Sequence, residues 1–307
     1  MTYLSDSEIE ALLLGKWEKV IRAVEGAFLD PTASMVPKIY LQAGSAGDYR
    51  AMPAAMGGYA AIKWIGVFPD NRKHNLPTTI GSLILNDRYT GRPLITMDCS
   101  ALTAYRTAAT SAIAAKYCAP KAKEFAFVGC GKQTRYHIEA YKAIYGELAS
   151  IKIYDRSEEA MISTDSWIGE NQMAVSHGVS RSLIKVFEKA DVVTTLTPST
   201  EAYLDVNWLK NNCHINAIGA DAKGKRELMA NVFDWSTNII CDDPEQAFHS
   251  GELQHNTWPD LKVHTLSHVI QNHNNMKFDS GISVFDSTGV ALEDVAIGTL
   301  IYQLNFS

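Results

Sequence analysis

Apolar residues recur at helical spacing over residues 9–28, behind the capping pattern Ser5-Asp6-Ser7-Glu8, and this predicts two helices. Residues 31–37 break the period, and Lys38-Ile39-Tyr40-Leu41-Gln42 then alternates as a strand does. Further strand patterns cover residues 49–54, 60–67, 79–86 and 94–97. They are separated by Gly57-Gly58, by Pro69-Asp70-Asn71 and by Tyr89-Thr90-Gly91-Arg92-Pro93, which predicts an antiparallel sheet. Residues 101–117, rich in alanine and small hydroxyl side chains, read as a helix leading from this first domain into a second.

The pattern then changes to strand, turn, helix, strand. Phe125-Ala126-Phe127-Val128 reads as a buried strand, Gly129-Cys130-Gly131 as a tight turn, residues 135–145 as a helix, and Ile151-Lys152-Ile153-Tyr154 as a second strand ending on Asp155. Strand patterns follow at 190–196, 214–219, 238–241 and 282–285, with a short helix from residue 207 and a final helix over 290–304. Alternation of this kind predicts an α/β fold with a Rossmann-type, doubly wound parallel sheet.

That turn is suited to a dinucleotide. Gly129 permits the turn, and Gly131 lets the backbone approach a pyrophosphate seated on the helix N-terminus, where unpaired N–H groups and the helix dipole favour an anion. Asp155, twenty-four residues beyond Gly131, is placed to accept hydrogen bonds from the adenosine ribose. A carboxylate there favours NAD over NADP, although Arg156 beside it could offset the repulsion of a 2′-phosphate and keeps NADP possible. Thr134 stands where a third glycine is usual, which predicts looser packing of helix on strand. Because ligands of open parallel sheets bind beyond the carboxyl ends of the strands, Thr195, Thr197, Gly219, Asp221 and Asp242 are expected to crowd the crevice of Gly129.

Composition narrows the class. The 307 residues are 46% hydrophobic and 20% charged, enough for two medium cores, with no low-complexity segment and no repeat. A net charge of −6 and the lack of a basic run argue against nucleic acid as a partner. No window approaches the roughly 20 apolar residues of a membrane span, and a soluble, cytoplasmic protein is expected. Five widely spaced cysteines without a Cys-x-x-Cys pair read as buried free thiols. His249, His255, His264, His268 and His273 fit no compact ligand spacing, so no metal site is expected.

Seven motifs in order carry a resemblance. Tyr49-Arg50-Ala51-Met52-Pro53, Ile62-Lys63-Trp64, the run from Leu102 through Arg106 to Ala109, Gly129-Cys130-Gly131-Lys132-Gln133, Ile215-Asn216-Ala217-Ile218-Gly219-Ala220-Asp221, Gly224-Lys225 and Phe285-Asp286-Ser287-Thr288-Gly289 resemble the ornithine cyclodeaminase and mu-crystallin family. Within it the chain most resembles the archaeal-type alanine dehydrogenases. The resemblance implies an α+β substrate-binding and dimerisation domain built from both chain ends, residues 1–115 with 290–307, around a Rossmann domain of residues 116–289. It also implies a homodimer. Catalytic roles fall on Lys63, acting on the substrate carbonyl or imine, and on Asp221, a proton-transfer and orienting group. Lys38, Arg50, Lys63, Arg106 and Thr288 are implied in substrate binding. Thr78, Arg106, Gly129, Gly131, Lys132, Gln133, Asp155, Arg156, Thr195, Ala217, Ile218, Lys225 and Ser287 are implied in cofactor binding.

Elementary chemistry agrees with those residue types. Reduction of a 2-oxo acid's imine needs a cationic clamp for the carboxylate, a proton donor as water leaves, and a hydride from nicotinamide. Guanidinium groups such as Arg50 and Arg106 pair bidentately with carboxylates. A lone strand lysine is ordinarily an exposed ladder residue, but Lys63 sits between Ile62 and Trp64 on the polar phase of its strand, where partial burial would lower its pKa. Ornithine cyclodeaminases carry an acid where this chain has Arg50, which should repel a diamine and favour a small or acidic 2-oxo acid. The expected activity is therefore alanine dehydrogenase-like reductive amination. Cyclodeaminase chemistry, ketimine or N-alkyl amino acid reduction, and non-catalytic binding of NAD(P)H are the alternatives.

Overall fold

The computed structural model describes residues 2–256, 261–278 and 280–306, and contacts between Cα atoms divide the chain into two units, Met1–Thr110 with Val290–Ser307 and Ser111–Gly289. The first unit contains, in chain order, β1 (Thr2–Leu4), α1 (Asp6–Leu13), α2 (Trp17–Leu29), β2 (Ser34–Met35), β3 (Ile39–Gln42), β4 (Asp48–Met56), β5 (Tyr59–Val67), β6 (Thr79–Asp87), β7 (Pro93–Asp98) and the start of α3 (Ser100–Cys118). Its sheet runs β1-β7-β6-β5-β4-β2, with β3 also paired to β4. The expected antiparallel sheet is in fact mixed, because β1 joins β7 in parallel; three residues are too few to show a period. Ser5 caps α1 as its sequence requires: the Ser5 hydroxyl accepts from the Glu8 N–H, and the Ser5 N–H donates to the Glu8 carboxylate.

One face of this sheet is the core. Met52, Ala54, Ala61, Ile65, Leu83, Leu85, Ile95 and Met97 are buried there, and the chain's last helix, Ala291–Asn305 (α10 in chain order), packs across β4, β5 and β6 and against α2. The phase of β5 is the reverse of the polar–apolar reading. Ala61, Lys63 and Ile65 point to the buried face, whereas Ile62 and Trp64 face outward at 36% and 41% exposure. The outward face continues across the ladder through Ile39 opposite Ala51, Ala51 opposite Trp64, and Ile62 opposite Ile84.

The second unit contains β8 (Glu124–Val128), α4 (Lys132–Tyr145), β9 (Leu148–Tyr154), α5 (Glu158–Glu170), β10 (Ala174–Val179), α6 (Leu183–Phe187), β11 (Val192–Thr195), β12 (Asn212–Ala217), α7 (Ala230–Asp234), β13 (Ser236–Cys241), α8 (Pro244–Ser250), β14 (Val263–Thr265), α9 (Leu266–Asn272) and β15 (Gly281–Asp286). Its strands are all parallel, in the order β10-β9-β8-β11-β12-β15-β13-β14. Succession runs outward from β8 to β10 and resumes at β11 on the other side of β8, so a topological switch point lies between β8 and β11. This is the doubly wound sheet expected. The central strands are buried on both faces, which is why β8 reads as an apolar run, whereas β11 and β12 carry Thr194, Thr195, His214 and Asn216 into the same core. Polar groups in this core are paired: Tyr141 Oη lies 2.7 Å from Thr194 Oγ1 and accepts from Asn216 Nδ2, and His137 Nε2 lies 3.0 Å from Ser111 Oγ. Burial lowers the His137 pKa to about 4, so the ring is neutral. Among the described residues no helix is long and apolar enough to cross a membrane.

Candidate active site

Two groups of residues, one in each unit, carry chemistry. In the first unit Lys63 is 1% exposed on β5, and its Nζ donates to Asp294 Oδ1 at 2.8 Å and to Thr103 Oγ1 at 3.4 Å. The same Asp294 oxygen lies 3.3 Å from Arg106 Nε, and Arg106 Nη1 donates to Glu293 Oε2 at 2.8 Å. All four charged groups are buried. Such charges persist inside a protein only when paired. Burial lowers the Lys63 pKa first, the Arg106 charge lowers it further, and Asp294 opposes both. Asp294 Oδ2 is buried with no hydrogen-bond partner among the described residues.

Arg50 sits on the same buried face, one ladder pair from Lys63: Arg50 is opposite Ile65, and Met52 is opposite Lys63. Its Nε donates to Asp48 Oδ1 at 2.7 Å, and its guanidinium lies over the Tyr40 ring at 5.5 Å. Lys38, just ahead of β3, is also buried.

The second group lies at the carboxyl ends of the parallel strands. Gly129 has φ +100°, and a Cβ there would come within 2.9 Å of the Leu196 carbonyl oxygen, so only glycine fits. A Cβ on Gly131 would meet nothing within 4 Å; open space lies over the N-terminus of α4, where Gly131 is the N-cap and supplies no side-chain cap. That cradle fits a pyrophosphate. A cleft of about 440 Å³ opens here, lined among others by Gly131, Lys132, Arg135, Tyr136 and Trp167. Thr134, at the third glycine position, is wholly buried, and its hydroxyl donates to the Gly129 carbonyl at 2.5 Å. Asp155, directly after β9, accepts from the Cys130 N–H at 2.7 Å and from the Ser157 N–H at 2.8 Å, which fixes its carboxylate beside the glycine turn.

Hydrogen bonds tie the neighbouring strand ends together. Ile218 N–H donates to the Thr195 carbonyl, and Ser287 N–H donates to the Ala217 carbonyl. Asp221 accepts from Lys225 Nζ at 2.5 Å. Asp242 accepts from the Thr288 hydroxyl at 2.9 Å, the Ser287 hydroxyl at 3.3 Å and the Gly289 N–H at 2.6 Å.

Thus Lys63 and Arg106 meet at Asp294, with Arg50 diagonal to Lys63 on the same face. Gly129, Gly131, Lys132, Gln133, Asp155 and Arg156 gather around the first turn of the second unit, Arg156 exposed, and Thr195, Ala217, Ile218 and Ser287 at its strand ends. The roles implied by the resemblance, cofactor binding for Thr78 and Arg106 and substrate binding for Thr288, cross this division at three places. Thr78, ahead of β6, and Arg106 belong to the first unit, and Thr288 belongs to the second. Asp294 and Glu293 were missed. A signal existed: two adjacent acids inside α10, otherwise apolar nearly all round, had to be buried and matched to cations. Glu227 and Glu252, both buried, were missed as well, because nothing in their neighbours' pattern separates them from surface acids, and buried Asp286, although it lies in a motif of the resemblance, was given no role.

Comparison with known proteins gives a consistent answer. Residues 2–306 match the sequence profile of the ornithine cyclodeaminase/mu-crystallin family. The chain is 37% identical to the alanine dehydrogenase of Archaeoglobus fulgidus, over 98% of this chain and 94% of that protein. A solved archaeal alanine dehydrogenase dimer with bound NAD has a TM-score of 0.91 and 34% identity, covering 100% of this chain and 96% of that one. The Δ(1)-pyrroline-2-carboxylate reductase of Thermococcus litoralis, in complex with NADH and L-proline, has a TM-score of 0.92 and 26% identity, covering 100% of this chain and 98% of that one. The chain belongs to the ornithine cyclodeaminase/mu-crystallin family.

Proposed function

We propose that this protein is an NAD-dependent oxidoreductase of the C–N bond that reductively aminates a small 2-oxo acid, in the manner of an alanine dehydrogenase. The observation that carries this is the buried Lys63–Asp294–Arg106–Glu293 assembly, an ammonium and a guanidinium held in fixed positions on the inner face of a strand. Arg106, with Arg50 and Lys38, binds the substrate carboxylate. Lys63 donates a proton to the hydroxyl of the carbinolamine so that it leaves as water, and its lowered pKa suits it to take a proton in the reverse direction. Asp294 orients the Lys63 ammonium, and its Oδ2 offers an acceptor for an imine or amine N–H. Asp221, held by Lys225, serves as the second orienting acid. Bound nicotinamide supplies or takes the hydride at the α-carbon.

NAD is the cofactor, held by the Gly129–Gly131 turn and, at its ribose, by Asp155; exposed Arg156 leaves NADP as the weaker second choice. We place the activity in the cytoplasm, which matches five buried and unbridged cysteines. We also propose a homodimer formed through the outward sheet face, where Ile39, Ile62, Trp64, Ile80 and Ile84 expose apolar surface on adjoining strands. Light scattering should give twice the 33.8 kDa chain mass. A monomer would remove the dimer.

The substrate is tested at 340 nm with NADH, ammonium and a panel of pyruvate, glyoxylate, oxaloacetate and 2-oxoglutarate. Ammonium-dependent oxidation of NADH by at least one short oxo acid is expected. Reduction of a cyclic imine with no response to ammonium would favour a ketimine reductase. Conversion of ornithine to proline without net NADH use would favour a cyclodeaminase, and binding without turnover of any of these would leave a non-catalytic binder.

A further inference from the structure

We propose that Glu227 is the positioning residue for the nicotinamide half of the dinucleotide site, itself held in place by Glu252 and Asp286. The inference rests on the dinucleotide reading above and adds a residue to it. In a doubly wound sheet the glycine turn and the acid after the second strand serve the adenosine half, so the nicotinamide half falls to the strands beyond the switch point, here β11 and β12.

Glu227 is wholly buried, and among the described residues no cation pairs with it. Its carboxylate instead accepts five hydrogen bonds from the end of β11 and from the segments that follow the two strands. Thr195 Oγ1 and the Gly219 N–H donate to Oε2 at 2.6 and 2.9 Å. The Thr197 N–H, Thr197 Oγ1 and Tyr203 Oη donate to Oε1 at 2.8, 2.6 and 2.8 Å. Gly219 must lack a side chain for this: a Cβ would lie 2.5 Å from the Glu227 carboxyl and 2.2 Å from the Thr197 carbonyl oxygen. The ends of β11 and β12 are thus fixed by one carboxylate.

That carboxylate is fixed in turn. The Glu227 and Leu228 N–H groups donate to Glu252 at 2.6 and 3.2 Å. The Glu252 and Leu253 N–H groups donate to Asp286, the last residue of β15, at 3.0 and 2.9 Å. Each acid holds the backbone of the next, running from β15 to the nicotinamide side. Burial pushes all three carboxyl pKa values up, Asp286 to about 8, while the N–H and O–H donors named here pull them back. Burying three acids is costly, and a fold that only needed filling there would use apolar side chains.

Glu227→Gln separates positioning from bulk stability. Either orientation of the amide turns an N–H₂ against a fixed backbone N–H, that of Gly219 or that of Thr197, so one strand end must shift. The test titrates wild type and variant with NADH and with ADP, which needs only the glycine turn and Asp155. We expect wild type to bind both, and the variant to bind NADH roughly tenfold or more weakly while its affinity for ADP stays within about twofold. NADH affinity within twofold of wild type, or equal losses for NADH and ADP, would overturn the inference. Wild type failing to bind NADH at all would overturn the dinucleotide reading itself. Should Glu227→Gln prove insoluble, Thr197→Val removes one donor from the same carboxylate and must show the same split at smaller amplitude; no split would overturn the inference.

Discussion

Lys63→Ala is expected to lower kcat for reductive amination by roughly 10²–10⁴-fold, the range of a positioned proton donor, while the Kd for NADH stays within about twofold. The asymmetry follows from where Lys63 lies. It belongs to the first unit and touches Asp294 and Thr103, whereas the glycine turn and the strand ends proposed to hold the nucleotide belong to the second. Fluorescence titration and steady-state rates on one preparation check both halves. The pH profile adds a sign. Burial and Arg106 lower the lysine pKa, so the neutral amine forms at a lower pH than in water. Oxidative deamination, which needs the neutral amine as base, should rise as pH climbs through that pKa, and amination, which needs the ammonium, should fall over the same span. A Lys63→Ala enzyme within a few-fold of wild type would remove Lys63 from the chemistry.

Arg106→Leu is expected to cost stability as well as activity. Glu293 and Asp294 are at most 1% exposed, and the guanidinium reaches both. Taking one partner from a buried ion pair leaves an uncompensated charge, worth about 3–5 kcal/mol. For a chain of 307 residues that corresponds to a fall in Tm of roughly 5–8 °C. Arg106→Lys retains the charge but not the fork, and should recover part of the loss while leaving KM for the oxo acid raised. Differential scanning calorimetry and KM measurements on both variants check this. A Tm for Arg106→Leu within about 2 °C of wild type would show that the pairing contributes little.

The sequence revealed those features whose cause is local. Two glycines in a turn after four apolar residues can be read because a Cβ at Gly129 would strike a backbone oxygen, and the doubly wound sheet can be read because parallel strands are apolar on both faces. Lys63 was different. The alternation along β5 is real, but its apolar phase, Ile62 and Trp64, faces outward, so a rule that sends apolar residues inward places the lysine wrongly. Only the motif resemblance pointed to it. The partner of Lys63 lay beyond local reading, because Asp294 is 231 residues away along the chain. The acids around Glu227 were hidden for the same reason: their donors come from separate loops that meet only when β11, β12 and β15 lie side by side. The edge strand β10 and the three-residue β1 and β14 offered too short or too polar a pattern to register.

The central claim is hydride transfer between the nicotinamide and the α-carbon of an amino acid, and isotope transfer tests it most directly. The enzyme is supplied with NADH deuterated at the transferring C4 position, ammonium and the best oxo acid of the panel, and the amino acid formed is analysed by mass spectrometry. The account predicts one deuterium at Cα, one NADH oxidised per amino acid formed, and no product without ammonium. Amino acid carrying no deuterium, or proline formed from ornithine with no net oxidation of NADH, would contradict it.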